Sequence, residues 1–257
     1  FTGIQCIDRI AKGIYTYINT QKRNHVLRGA TAVTTVSPWH QRTLAQYNPN
    51  TYLIYNGYDA HTFYPKTLVI ESFDITFIGK YYSHYQDCPR LLFAALQSLI
   101  ATNQIAIDEV KVHFYTNAVG QADFAKLAKE YTLDNVVRVH NYIPRSEIVD
   151  RMHHSSIMLV LTTPIKQYGT HGMMGTKFYE ILGVEKPCLC LNSDEECLAE
   201  AIKNTHAGLA ATHVEDVKAF ILEKYQEWKA NGYTHQLVIN KEQFTRQDAA
   251  KRFEQLF

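Results

Sequence analysis

The chain has 257 residues, 46% of them hydrophobic, with a formal net charge of +1. That length allows one large domain or two smaller ones with real cores. Near-neutral charge without a basic stripe argues against a nucleic-acid partner held by bulk electrostatics.

In chain order, apolar residues at spacings of three and four (Ile4, Ile7, Ile10, Ile14, Ile18) predict a helix over 4–27. A β-branched run predicts a strand over 30–36. Ser37-Pro38 then opens a helix, with Ser at the N-cap and Pro at the first position. A second strand over 52–55 ends in the turn pair Asn56-Gly57, and 60–72 reads as a connector. From Phe73 a βα rhythm begins. Strands are expected at 73–78, 110–115, 136–139, 157–161, 188–191 and 207–211. Helices are expected at 89–101, 121–130, 145–153, around Glu180, and at 195–203, 214–230 and 241–256. Near-continuous apolar strands alternating with helices predict a Rossmann-like parallel sheet with helices on both faces. In such sheets ligands bind outside the carboxyl ends of the strands. The loops after Ile78, Tyr115, Val139 and Leu161 are therefore the ones that matter.

The stretch 168–187, YGTHGMMGTKFYEILGVEKP, carries the most chemistry. Gly169, Gly172 and Gly175 let backbone approach a ligand, and a helix start offers N–H groups to an anion. Lys177 and Glu180, three apart, share a helical face and suit a phosphate and a ribose hydroxyl; alone, they are equally a surface ion pair. The helix is expected to end at Gly183. Gly79-Lys80 places a tight turn and a cation at a strand end, although it is neither a GxGxxG nor a Walker A loop. In the turn from His140 to Pro144, Tyr142 suits base stacking, and the backbone of Asn141 to Ile143 suits reading a base edge. His153 and His154, being adjacent, face different directions, no HxxxH exists, and the five cysteines lack metal spacing. There is no Asp-x-Asp, so no metal is expected, and any diphosphate would be neutralised by Lys80, Lys177 and helix N-termini. The odd cysteine count points to reduced thiols and a cytoplasmic setting. No signal peptide or transmembrane run is present. The chain begins at Phe1 without Met, and reads as a piece of a longer protein.

Taken together, these segments resemble the second half of a family 4 glycosyltransferase with the GT-B fold. AVTTVSPWHQRTL followed by YLIYNGYDAHTFYP is similar to that family's passage between its two domains. ITFIGKYY, VRVHNYIPRSEIVDRMHHSSIMLVLT, GTKFYEILGVEKPCLCL and FTRQDAAKRFEQLF follow in the family's order. The resemblance implies a remnant of the acceptor domain and a linker over 1–65, a nucleotide-sugar domain over 66–240, and a helix over 241–257 crossing back. It implies transfer of a hexosyl group from a nucleoside diphosphate sugar to a glycan, lipid-linked or other hydroxyl acceptor. Configuration would be retained, and neither metal nor cofactor would be used. Lys80 and Lys177 would stabilise the leaving group. Gly79, Thr116, Asn141, Tyr142, Ile143, His171, Gly172, Gly175, Thr176 and Glu180 would join them in holding the donor. A missing first domain would be the part that touches the inner face of a membrane. One departure stands out: the family often has two glutamates eight apart, and the first would fall at Gly172. The sugar contact is thus unassigned; if this loss silences the chain, restoring Glu there in the full-length protein is expected to raise activity. A nucleotide-sugar epimerase and a non-catalytic nucleotide-binding relative are the alternatives.

Overall fold

The computed structural model describes residues 2–82, 88–162 and 171–256. The apolar runs become strands, and the amphipathic segments between them become the helices that cover those strands. The elements are α1 (Thr2–Gly29), β1 (Val33–Thr35), α2 (Pro38–Ala45), β2 (Thr51–Leu53), β3 (Phe73–Ile78) and α3 (Cys88–Ala101). Next come β4 (Val110–Tyr115), α4 (Ala118–Glu130), β5 (Val137–His140), α5 (Arg145–His153), β6 (Ile157–Leu161) and α6 (Thr176–Val184). The last are β7 (Cys188–Leu191), α7 (Cys197–Asn204), β8 (Gly208–Ala211), α8 (Val214–Asn231), a 3-10 turn (Glu242–Phe244) and α9 (Arg246–Glu254).

Strands β3 to β8 form one parallel sheet in the order β5-β4-β3-β6-β7-β8. The period of two along each strand divides its side chains between two cores. Phe73, Ile75, Phe77, Val112, Phe114, Leu159 and Leu191 face one core, with residues of α3, α4 and α8. Ile78, Tyr115, Met158, Val160, Cys188 and Cys190 face the other, with residues of α5, α6 and α7. The first core is dense in aromatics: Phe114 stacks on Phe124 at 4.0 Å between ring centroids. Each such ring, fully buried, contributes roughly 2–3 kcal/mol of transfer free energy.

Strands β1 and β2 pair with each other in parallel, as a separate two-stranded sheet. The expected helix ahead of them forms, and Ile14 and Ile18 on it are 56% and 45% exposed.

Three expectations about local structure need correction. The helix over 241–256 is broken: Thr245 is extended (φ −91°, ψ 153°), and its side chain caps α9 through the Asp248 N–H. Phe244, just before it, is buried in the second core. Asn56-Gly57 is no simple turn, because a Cβ on Gly57 would lie 2.5 Å from the Thr245 carbonyl carbon. Glycine there lets the C-terminal segment cross, and Tyr58 exchanges backbone hydrogen bonds with Phe244 and Arg246. Gly183 does not stop α6 either; it is inside the helix, where a Cβ would meet Tyr58 at 2.6 Å and Phe63 at 2.8 Å. The left-handed residue that closes α6 is Glu185, at φ 53°.

Candidate functional site

The strand order reverses between β3 and β6, so the loops after them leave in opposite directions and open a crevice at the carboxyl edge. On one side of it, the ends of β3, β4 and β5 are in step. Gly79 N–H donates to Tyr115 O, and Thr116 N–H donates to His140 O, at 3.0 and 3.1 Å. Lys80 follows and is exposed, with its ammonium 5.0 Å from the centroid of the Tyr82 ring. Thr116 is fully buried, and its hydroxyl donates to Asn117 Oδ1. Gln121 ties the edge together by donating from its side chain to Thr116 O and Asn141 Oδ1, both at 3.0 Å. Ile143 anchors the loop after β5 against the second core. Tyr142 is 54% exposed, so most of its ring is accessible to a ligand. Burial, and then the Tyr82 phenol, raise its pKa.

On the other side is the start of α6. Its N-cap is Gly175, which offers no side-chain cap, and nothing lies within 4 Å of where a Cβ would stand. The first-turn N–H groups are thus uncapped by any side chain, as an anion site requires. Lys177 Nζ and Glu180 Oε2 pair at 2.7 Å, about one third and one fifth exposed. Thr176 lines a cleft of about 470 Å³ together with Thr34, Tyr55, Asn56, Arg246 and Phe253, on the side of β1, β2 and α9.

Just ahead of α6 in the chain is a cluster that sequence reasoning found only in part. His171 stacks on Trp39 at 4.8 Å with 6° between planes, and its Nδ1 is 3.1 Å from Glu196 Oε1. Gly172 N–H donates to Glu196 Oε2 at 2.9 Å. Gly172 has φ +67°, and a Cβ there would lie 2.7 Å from both Ser37 Oγ and His40 Nδ1. A side chain at this position is strained by the left-handed φ and crowded by the Ser37 and His40 side chains. A glutamate there would have to push the Ser37 and His40 side chains aside, a steric cost set against the expected gain in activity. Glu196, Trp39 and His40 were missed because their contacts with the loop span more than 20 residues of sequence. The one local signal was the acidic run 194–196 before α7, where Asp194 accepts from the N–H groups of Glu196, Leu198 and Ala199.

Among the described residues, no contact links Lys80 to Lys177; each interacts within its own loop or helix. Gly169 and Tyr168, along with most of the loops after Lys80 and Leu161, lie outside the described residues. His153 Nε2–H donates to Tyr64 O in the interior, while His154 is exposed, so the adjacent pair does face two ways.

No family model and no curated protein matches the chain. Solved structures do. The chain is similar to Staphylococcus aureus TarM (a complex with UDP), at 12% identity and TM-score 0.61, over 92% of this chain and 46% of that one. It is similar to sucrose-phosphate synthase from Thermosynechococcus elongatus, at 16% identity and TM-score 0.64, over 91% and 59%. It is similar to Anabaena HepE in complex with UDP-glucose, at 14% identity and TM-score 0.62, over 88% and 64%. These are GT-B glycosyltransferases, and the parallel sheet with helices on both faces is the fold this chain shares with them. The chain spans about half to two thirds of their length. No helix among the described residues is long and apolar enough to cross a membrane.

Proposed function

We propose that this chain is the donor-binding part of a glycosyltransferase. The observation that carries the reading is the strand order. It sets Gly79-Lys80 on one side of the switch point, and the strand leading to the uncapped start of α6 on the other. Residues 66–240 would hold the nucleoside diphosphate sugar, 1–65 would belong to the acceptor domain, and 241–257 would cross back. The base stacks on Tyr142 and is read by the backbone of Asn141 to Ile143. The diphosphate meets Lys80, Lys177 and the N–H groups at Gly175 and Thr176, and the ribose meets Glu180. Diphosphate and ribose hydroxyl then replace the Lys177–Glu180 pair with partners of their own. Cations and helix N–H groups stabilise the leaving diphosphate as the glycosidic bond breaks, without a metal and with retained configuration. The UDP complex of TarM and the UDP-glucose complex of HepE support a uridine donor. The acceptor is a sugar or another hydroxyl, and a hexosyl group is transferred in the cytoplasm, at the membrane's inner face if a preceding domain binds there.

A donor panel tests this. Calorimetry with UDP-glucose and GDP-glucose should give heat with one and little with the other, and Glu180→Ala should weaken it. No heat with either, and no effect of the substitution, would remove the reading. Gly172 favours a second reading: without a carboxylate at that position, the chain binds nucleotide but does not transfer sugar. A product assay separates the two, because only the first releases UDP from UDP-glucose when acceptor and full-length chain are supplied.

A further inference from the structure

Three strands carry a diagonal row of polar side chains on one face of the sheet. Asp74 is on β3, His113 on β4 and His140 on β5. In register, Asp74 is opposite Lys111, and His113 is opposite Thr76, two residues nearer the carboxyl edge. His140 is opposite Tyr115, two residues further again. Diagonal neighbours in a sheet are within reach of long side chains. Asp74 Oδ2 is 3.4 Å from His113 Nε2, and His113 Nδ1 is 3.0 Å from His140 Nε2. Ser72 Oγ donates to the other Asp74 oxygen at 2.7 Å. The row ends at the residue just before Asn141.

A ring-to-ring contact of this kind requires one hydrogen between the two nitrogens. With both rings neutral, His113 Nε2–H faces Asp74, and His140 Nε2–H donates to His113 Nδ1. With one proton added to the pair, one ring is an imidazolium and a single N–H still lies between His113 Nδ1 and His140 Nε2. The contact survives either way. A second proton puts N–H against N–H and breaks it.

Stacking fixes the His140 ring as well. It lies on Tyr115 at 4.4 Å and 14°, and the Arg151 guanidinium of α5 is 5.4 Å from the centroid of the same Tyr115 ring. The charged and titratable groups around His140 are thus His113 and Tyr115 on β4, Arg151 on α5 and Arg138 on its own strand, with Asp74 on β3 behind His113. Among them only Asp74 is anionic, and it is one ring away.

We infer that His140 is a positioning residue for the nucleobase loop 141–143, held by the Asp74–His113–His140 row and released when both histidines are protonated. The inference rests on the proposed nucleotide site. Donor affinity is then constant above neutral pH and falls on acidification. Burial first, then His113, Arg151 and Arg138, push His140 below the usual histidine range, so the loss belongs on the acid side of pH 6.5.

UDP-glucose titrated by calorimetry from about pH 8 to about pH 5.5 tests it. This donor is esterified at both ends of its diphosphate, so it avoids the ionisation that a terminal phosphate has near pH 6. The wild-type chain should bind with a flat profile above neutrality, losing up to about tenfold in affinity per pH unit below the midpoint. His113→Phe, which removes the row, should bind severalfold more weakly at pH 8 and shift or abolish the midpoint. His154→Gln should keep the midpoint, because His154 is exposed at the end of α5 and bonds to Asp150 O. If His113→Phe does not fold by thermal melting, His113→Gln replaces it, with the same expectation for the midpoint. Binding with a flat profile, or with the wild-type midpoint in the His113 variant, overturns the inference and leaves the nucleotide reading standing. Failure of the wild type to bind UDP-glucose or GDP-glucose at pH 8 overturns the nucleotide reading, and the role of His140 with it.

Discussion

Lys186 is 2% exposed, just before β7, and burial pushes its ammonium down to about 8. The unfolded chain, titrating near 10.5, binds more protons between about pH 8 and 10.5, so stability rises with pH across that window. Below it the buried charge costs on the order of 3 kcal/mol. Lys186→Met is therefore expected to raise the denaturation midpoint at neutral pH and to remove the gain between about pH 8 and 9.5. Chemical denaturation of both proteins at the two ends of that window is the check; parallel pH profiles would refute the assignment. His140 and His153 act in the opposite range. Burial holds both below the usual histidine value. The unfolded chain then takes up their protons first as pH falls through about 6.5, and stability drops. Thermal melting from pH 7 to pH 5 should show a falling midpoint, smaller in His153→Gln. At Gly172 the prediction is steric. Gly172→Ala puts a Cβ against Ser37 and His40 at a left-handed φ, and should cost about 1–3 kcal/mol. It should also weaken donor binding, which compares directly with Glu196→Gln, a variant that leaves the space intact.

At the scale of elements, Gly57 and Gly183 mark where chain crosses chain. Gly57→Ala places a methyl into the backbone at 244–246, so α9 should lose its anchor while the main sheet stays folded. Hydrogen exchange would show faster exchange over 246–254, with β3 to β7 unchanged; slowed or unchanged exchange in α9 would contradict the crossing. Most elements of the main sheet were legible in the sequence. Residues 157–161 and 188–191 are apolar throughout, because both faces of a parallel strand are buried, and 73–78 and 110–115 are interrupted only by Asp74, Thr76, Lys111 and His113. What was not legible has the same physical origin each time, namely a contact far along the chain. Thr245 breaks a helical pattern because Tyr58 pairs with its neighbours. Gly183 reads as a helix stop, yet Tyr58 and Phe63 require it inside the helix. In the candidate site, Gly79-Lys80 and Lys177–Glu180 were readable because strand ends and helical spacing are local. The Trp39–His171–Glu196 cluster and the Asp74–His113–His140 row were not, because each joins residues from three separate elements.

At the scale of the molecule, the sheet determines where a ligand fits. One parallel sheet with a single reversal of strand order offers one crevice at its carboxyl edge, flanked by cations at Lys80 and Lys177 and by the uncapped start of α6. The two-stranded sheet of β1 and β2 and the helix α9 form a second wall, with its own cleft at Thr176. Under the proposed function, nucleotide occupies the first of these. Hydrogen exchange with and without UDP-glucose tests that claim most directly. Protection is expected at 79–80, 141–143 and 172–180, all at the carboxyl edge. Protection confined to the cleft lined by Thr34, Tyr55 and Arg246, or none anywhere at saturating ligand, would contradict it.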